Sequence, residues 1–256
     1  MAADSALTVP TLLPVERQYI NRVYFGATKI RPIPKLKAGI SFWGQGQIRG
    51  VDTDVWLLDF IHRNENHYNT LRQFALLLRN QLRQEIGRMQ DTDAESLRWG
   101  KIGFHLAGYV KYNGTKVPTF WHIHNGQSER FADIDPTVIN SNNDVPPQIV
   151  SEELAQEIRI ENENWLLIRN GDFQTVYRPF YAVMNQLTQY LRANAIHIPM
   201  QSLKGRAEFL AFQIRTIRDL YGMSVDLLPA IGGNVAVMTI SDKGIQSYFN
   251  PYDTTI

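Results

Sequence analysis

The repeat of apolar residues along the chain predicts several helices. In the clearest of them, apolar residues recur every three or four positions, which is the spacing of one helix face: Leu71, Phe74, Ala75, Leu78, Leu82 and Ile86. A shorter helix is predicted before it at residues 55–63, because Asp52, Thr53 and Asp54 form a cluster of N-cap side chains. Further helices are predicted at about residues 203–221 and, with interruptions, at residues 151–194.

Runs rich in aromatic and β-branched residues predict short strands around these helices. They lie at residues 23–25, 28–33, 38–43, 101–110, 118–124, 130–134, 234–240 and 245–249. Two connections have the composition of hairpin turns: Asn113-Gly114, which suits a type I′ turn, and Ser241-Asp242-Lys243-Gly244. Residues 140–148 contain several asparagines and two prolines and are predicted to form a loop.

The order of these elements predicts the fold class. Strands come first, followed by two helices, more strands, a second group of helices and two final strands. Hairpin-linked strands are thus grouped apart from the helices, which is typical of antiparallel sheets covered by helices and not of a doubly wound parallel sheet. The sequence therefore predicts an α+β fold.

Composition excludes several classes of protein. The chain has 256 residues, enough for one large layered domain or two small ones, and its 44% apolar content is ordinary for a globular protein. It has no cysteine, which excludes a disulfide scaffold, a thiolate metal site and a cysteine nucleophile within these residues. The net charge of +1 gives no reason to expect a nucleic-acid partner. No apolar run approaches the ~20 residues of a membrane span, and no signal peptide is recognisable, so we expect a cytoplasmic protein with no membrane partner.

Three motifs in the first part of the chain resemble those of one enzyme family. Ala2-Ala3-Asp4-Ser5-Ala6-Leu7-Thr8 resembles a turn of the form AADSR-T that follows the second strand in that family. Residues 28–33 resemble its next strand, of the form KI-x-x-I, with Lys29 as the lysine. Residues 38–46 resemble the glycine-bearing strand after that, with Gly44 as the glycine.

Two motifs further along complete the resemblance. Residues 104–109 and 120–126 together resemble IAGYD…LY-x-ID-x-x-G, and residues 231–235 resemble SGG-x-V before a last hairpin. In their order, the five motifs resemble the proteasome-like branch of the N-terminal-nucleophile hydrolases. The resemblance implies a single domain over residues 1–256, folded as a four-layer αββα sandwich of two antiparallel sheets. It also implies that the strand carrying the nucleophile is missing from the start of this sequence.

By the same resemblance, the candidate catalytic residues are Asp4, Lys29 and Gly44. The nucleophile of these enzymes is an N-terminal Thr, Ser or Cys whose own α-amino group is the general base. A lysine paired with a carboxylate tunes that amine, and a backbone N–H stabilises the oxyanion. The alternative for Lys29 is an edge-strand lysine whose ammonium reaches water, and the alternative for Gly44 is a plain strand or bulge glycine.

The resemblance implies a threonine-type peptidase or other amide hydrolase that acts on peptides or proteins. It implies a homo-oligomeric ring and no cofactor or metal. The alternative is a non-catalytic scaffold or binding subunit of such a ring. Leu228 and Ile231 favour the alternative, because they stand where the family has the aspartate and the serine that polarise the terminal amine. Removal of the initiator methionine would expose Ala2, which carries no nucleophile, and the gap from Asp4 to Lys29 is longer than is usual in the family.

A pair of histidines is a separate candidate for chemistry. His122 and His124 alternate on a predicted strand and therefore share one face of it. A His-x-His pair can bind zinc, but no third histidine or carboxylate lies at a convincing spacing. We interpret both as ordinary hairpin residues, and the glutamates within residues 152–163 as a solvated helix face.

Overall fold

The computed structural model describes residues 1–13, 18–90, 102–112, 114–124, 135–140, 202–223 and 231–249, together with residues 186, 189, 190, 193 and 194. The strands are β1 (Ala2–Ala3), β2 (Ala6–Leu13), β3 (Gln18–Phe25), β4 (Ile30–Ile33), β5 (Ala38–Gly44), β6 (Gln47–Ile48), β7 (Val51–Asp52), β8 (Ile102–Tyr112), β9 (Thr115–His124), β10 (Asp135–Asn140), β11 (Ala236–Ser241) and β12 (Gly244–Phe249). The α-helices are α1 (Thr53–Arg63), α2 (Leu71–Gln90) and α3 (Leu203–Met223), and single 3-10 turns lie at Pro34–Leu36 and Glu65–His67. The predicted α+β class with antiparallel sheets is confirmed.

Three helices and most strands lie where the sequence predicts them. Helix α1 begins two residues earlier than predicted, and its N-cap Asp52 makes no side-chain capping bond. The carboxylate of Asp52 instead accepts a hydrogen bond from the Gln47 side chain at 2.9 Å. The strand predicted at residues 130–134, the loop at 140–148 beyond its first residue, and most of the helical block at 151–194 lie outside the described residues. None of the described helices combines the length and apolar character needed to cross a membrane.

The chain divides into two compact units, and each is assembled from separate segments. The first unit contains the described parts of Met1–Ile30, Gly171–Thr239 and Ser247–Ile256. The second contains the described parts of Arg31–Asn170 and Ile240–Gln246. The single domain over residues 1–256 stays a prediction.

A five-stranded sheet in the order β10-β9-β8-β5-β4 is the framework of the second unit. The pairs β5–β8, β8–β9 and β9–β10 are antiparallel, with Phe42 opposite Phe104 and Phe104 opposite Ile123. These three side chains are buried, and α2 packs against β8 and β9. A Cβ added at Gly108 would lie 3.0 Å from Leu71 Cδ1 at the start of α2, so the Leu71 side chain would have to shift slightly to admit it.

The hairpin between β8 and β9 reverses at the position that its sequence predicts. The two strands pair up to Tyr112 and Thr115, and Gly114 between them has a φ of 84°. A positive φ suits glycine and is required in a type I′ turn. Because a two-residue turn fixes the register of the strands that it joins, it also fixes which residues face each other far from the turn. His105 is placed opposite His122 in this way.

The first unit contains a separate hairpin and the larger part of a small sheet. The sheet has the order β1-β11-β12, with Ala2 opposite Val237 and Ala3 opposite Ala236. Helix α3 packs against β1. Strands β2 and β3 pair only with each other among the described residues and form a ribbon inserted between Ser5 and Gly26. This inserted ribbon accounts for the long gap between Asp4 and Lys29.

Candidate functional site

The centre of the candidate site is an ion pair between Asp4 and Lys29. Asp4 directly follows β1, and Lys29 directly precedes β4. Lys29 Nζ lies 2.8 Å from Asp4 Oδ1, and the two side chains are 11% and 12% exposed. The contact that the sequence predicts between these residues is therefore present. A buried ammonium needs such a partner, because burying an unpaired charge is costly.

The second oxygen of Asp4 holds two backbone groups. Asp4 Oδ2 accepts hydrogen bonds from Ala6 N at 2.9 Å and from Gly232 N at 3.0 Å. With the Lys29 ammonium, the carboxylate has three donors, and hydrogen bonds to an ionised group are stronger than neutral ones. Asp4 therefore joins its own turn to two segments that are distant in sequence, around Lys29 and Gly232, and its position is fixed by all three contacts.

Ser5, the next residue, has a structural role, because it is hydrogen-bonded to two distant segments of the chain. It is 2% exposed, and its hydroxyl oxygen accepts a hydrogen bond from Asn234 N at 3.0 Å. Its N–H donates to Gly232 O at 3.1 Å, and its carbonyl accepts from Gly26 N and Ala27 N at 3.2 and 3.1 Å. With its oxygen occupied and its surroundings closed, Ser5 is unsuited to attack a substrate.

Gly232 and Gly233 allow their segment of the chain to lie close against Ser5 and Phe25. A Cβ at Gly232 would overlap the ring of Phe25, and a Cβ at Gly233 would overlap the hydroxyl of Ser5. Gly233 also has a φ of 69°, which disfavours residues with a side chain. The Gly233 carbonyl accepts a hydrogen bond from Arg218 Nη1 of α3 at 3.2 Å. We call residues 231–234 the glycine turn.

The structure brings some of the predicted site residues together and places others elsewhere. Asp4, Lys29 and the glycine turn form one cluster in the first unit. Gly44 lies in the second unit at the end of β5, opposite Ile102, with an exposed backbone and a φ of 88°. Its role as an oxyanion donor stays a prediction. Ile231, which replaces the family's serine, precedes the two glycines and is half-buried, whereas residue 228 lies outside the described residues.

A row of three histidines lies on one face of the five-stranded sheet. His105 on β8 faces His122 on β9, with ring centroids 4.8 Å apart, and the rings of His122 and His124 stack at 4.2 Å. His105 was not predicted from the sequence as part of a site, although a turn signal at Asn113-Gly114 predicts the register that pairs it with His122. Within the described ranges, no group of three His, Cys, Asp or Glu side chains is arranged to hold a metal ion.

Burial keeps two of these imidazoles neutral. Burial and, to a smaller extent, the neighbouring His105 and His124 lower the pKa of His122 to about 2. Burial also lowers the pKa of His105 to about 3, with His124 as the next cause. At neutral pH both rings are therefore uncharged, and neither is poised to exchange a proton near pH 7.

Comparisons with family models, with curated proteins and with solved structures found no match for this chain. What supports a function is therefore the chemistry of the cluster itself. An ammonium held at a fixed position by a largely shielded carboxylate can act on the charge of a neighbouring group, since a like charge disfavours protonation of an amine. It can also stabilise a negative charge that develops during a reaction.

Proposed function

We propose that this chain is a proteasome-like subunit of the N-terminal-nucleophile hydrolase type, a threonine-type peptidase or amide hydrolase. The four-layer αββα sandwich of that family is part of the proposal. The observation that carries it is the Lys29–Asp4 ion pair of 2.8 Å, largely shielded from solvent at the end of β1. In the enzymes that the chain resembles, such a pair lies beside the nucleophile.

In the proposed mechanism, Lys29 tunes the base and Asp4 holds Lys29 in place. The α-amino group of an N-terminal Thr, Ser or Cys removes the proton from its own side chain, which attacks the carbonyl carbon of a peptide bond. The Lys29 ammonium keeps that amine free of its proton by electrostatic repulsion. The N–H of Gly44 donates to the oxyanion that forms on the substrate.

The proposal requires a nucleophile at the mature N-terminus, on a strand that precedes the Asp4-Ser5 turn. The test starts from the protein purified from its own cells, whose N-terminal residue is determined by mass spectrometry. Hydrolysis is then measured with a panel of fluorogenic peptide amides. A covalent probe that reacts with N-terminal threonine identifies the labelled residue.

Variants of this protein test the role of Lys29. We expect Lys29→Met to abolish hydrolysis and to leave assembly intact, because the methionine fills a similar volume without the charge. Lys111→Met is the matched control, since Lys111 is exposed on β8 and should leave the rate unchanged. Full hydrolysis by the Lys29→Met variant would overturn the proposed mechanism.

The second candidate function is a non-catalytic scaffold or binding subunit. It is favoured by Ile231, which offers no hydroxyl where the family has its serine. A mature N-terminus without Thr, Ser or Cys, together with no hydrolysis of any peptide amide, would support this function over the peptidase.

Both functions include assembly into a homo-oligomeric ring. Helix α3 supports this part of the proposal, because Phe212, Leu220 and Met223 on it are 46%, 39% and 77% exposed. Apolar side chains of this size at the surface are frequent at interfaces between proteins. Light scattering at micromolar concentration tests it, and a stable monomer would contradict it.

A further inference from the structure

Arg218 links α3 to the glycine turn. Its Nη1 donates to the Gly233 carbonyl at 3.2 Å, and its Nη2 lies 2.7 Å from the carboxylate of Asp219. The Arg218 side chain is about one-third exposed, and Asp219 holds one edge of its guanidinium group. The other edge is thereby directed at the carbonyl, because the guanidinium group is planar and rigid.

Each peptide group of the glycine turn is held by a different contact. The N–H of Gly232 donates to Asp4 Oδ2, and the carbonyl of Gly232 accepts from the N–H of Ser5. The next peptide group is held at both ends, since Gly233 O accepts from Arg218 and Asn234 N donates to the Ser5 hydroxyl. Without Arg218, that last peptide group would keep one hydrogen bond among the described residues, to the Ser5 hydroxyl.

Adjacent glycines make this dependence on Arg218 important. Glycine populates left- and right-handed conformations about equally, so two in a row leave the backbone free to rotate unless other groups hold it. Rotation at Gly233 would turn the preceding peptide groups. One of them carries the Gly232 N–H, which donates to Asp4 Oδ2. Asp4 would then lose one of the three donors that fix its carboxylate beside Lys29.

We propose that Arg218 is a positioning residue for the Lys29–Asp4 pair. It holds the Gly233 carbonyl, and thereby keeps the Gly232 N–H directed at Asp4 and the Asp4 carboxylate directed at Lys29. The importance of this for catalysis rests on the proposed function, but the effect on Lys29 does not. Among the described residues, the Arg218 guanidinium contacts Asp219 and the Gly233 carbonyl, so its path to the ion pair runs through the glycine turn.

The reactivity of the Lys29 amine tests this inference. Reductive methylation with formaldehyde and cyanoborohydride is followed at Lys29 by peptide mass spectrometry, under conditions where each variant is folded. We expect Arg218→Met to raise the labelling rate of Lys29 roughly fivefold, the factor that corresponds to about 1 kcal/mol for one hydrogen bond. Methionine keeps most of the apolar stem of arginine but has no donor. Should that variant not fold, Arg218→Gln is used with the same expected direction.

Three further variants make the test specific. Arg218→Lys should restore a rate near that of the wild type, because it keeps a charged donor. Arg215→Met changes an exposed arginine one turn earlier on α3 and should leave the rate unchanged. Asp4→Asn removes the charge partner of Lys29 directly and should raise the rate more than any change at Arg218.

The outcomes separate this inference from the proposed function. If Arg218→Met lowers the urea midpoint while Lys29 is labelled at the wild-type rate, Arg218 is merely structural and the inference is wrong. If Asp4→Asn raises the labelling rate in the same experiment, the ion pair behind the proposed function still stands. If Asp4→Asn has no effect either, the ion pair itself is refuted, and the inference fails with it.

Discussion

Removal of one partner at a time from the Lys29–Asp4 pair should have unequal effects on stability. Asp4→Ala leaves the Lys29 ammonium without its partner and also leaves the N–H groups of Ala6 and Gly232 without their acceptor. Lys29→Met removes the charge and approximately keeps the volume, and Asp4 retains both N–H donors. We therefore expect Asp4→Ala to be the more damaging change.

The magnitudes follow from burial. Breaking a fully buried ion pair by removing one partner costs about 3–5 kcal/mol, and each stranded buried N–H costs about 1–3 kcal/mol. Roughly a tenth of each side chain is exposed here, and costs at contacting groups overlap, so we expect a loss of about 4 kcal/mol for Asp4→Ala. For Lys29→Met we expect about 1–2 kcal/mol. In a chain of this length, the larger value corresponds to a fall in Tm of roughly 10 °C.

A second ion pair of similar geometry provides the control. Arg63 Nε lies 2.7 Å from Asp59 Oδ2 on α1, but these side chains are 56% and 57% exposed. Asp59→Ala should therefore cost no more than about 0.5 kcal/mol, since exposed ion pairs of this kind contribute little. Urea unfolding followed by circular dichroism, together with calorimetry, measures all three variants. The reasoning is refuted if Asp4→Ala unfolds like the wild type while Lys29→Met does not fold.

Further predictions concern the glycines and the histidine row. Gly233→Ala should lower the unfolding free energy by about 2 kcal/mol or more, because the added Cβ would overlap the Ser5 hydroxyl. Gly50→Ala should lower it by about 1 kcal/mol, because Gly50 has a similar positive φ but open space around it; urea unfolding midpoints of the two variants measure the difference. Gly103→Ala should displace the indole of Trp43, which a Cβ there would overlap, and change its fluorescence emission; an unchanged spectrum would contradict the packing. Because the folded pKa of His122 is about 2, its contribution to stability is complete above the unfolded pKa of about 6.5 and is lost as the pH falls toward 2, by up to about 1.4 kcal/mol per pH unit. His105, with a folded pKa of about 3, adds a similar dependence, so His122→Phe should reduce the fall of the urea midpoint between pH 7 and 4 without abolishing it.

The elements that the sequence predicted best are those with a strong local signal. The three- and four-residue repeat identified α2, and Asn113-Gly114 identified the β8–β9 hairpin. The ribbon of β2 and β3 was predicted only at residues 23–25, because Pro10 interrupts a run that would otherwise read as a strand. Strand β10 was missed for a related reason, since it contains Pro136 and ends in the asparagine-rich segment.

The candidate site could be predicted only in part, because its contacts join residues that are far apart in sequence. Asp4 and Lys29 were found through resemblance to family motifs, and the structure brings them together. Arg218 had no such signal, since an arginine on a helix is ordinary and its acceptor is a backbone carbonyl. Local patterns carry no information about which carbonyl a long side chain will reach.

The ribbon of β2 and β3 has a consequence for how the protein can be altered. The chain leaves the cluster at Ser5 and returns at Gly26, and the Ser5 carbonyl accepts hydrogen bonds from Gly26 N and Ala27 N. These hydrogen bonds hold the two ends of the insertion together. The entropic cost of closing a loop rises only slowly with the length of the loop. A binding tag or a foreign peptide could be grafted between β2 and β3 while the hydrogen bonds at Ser5 keep Asp4 and Lys29 in contact. The same arrangement would allow the length of this segment to diverge among descendants of one ancestral chain without loss of the buried charges.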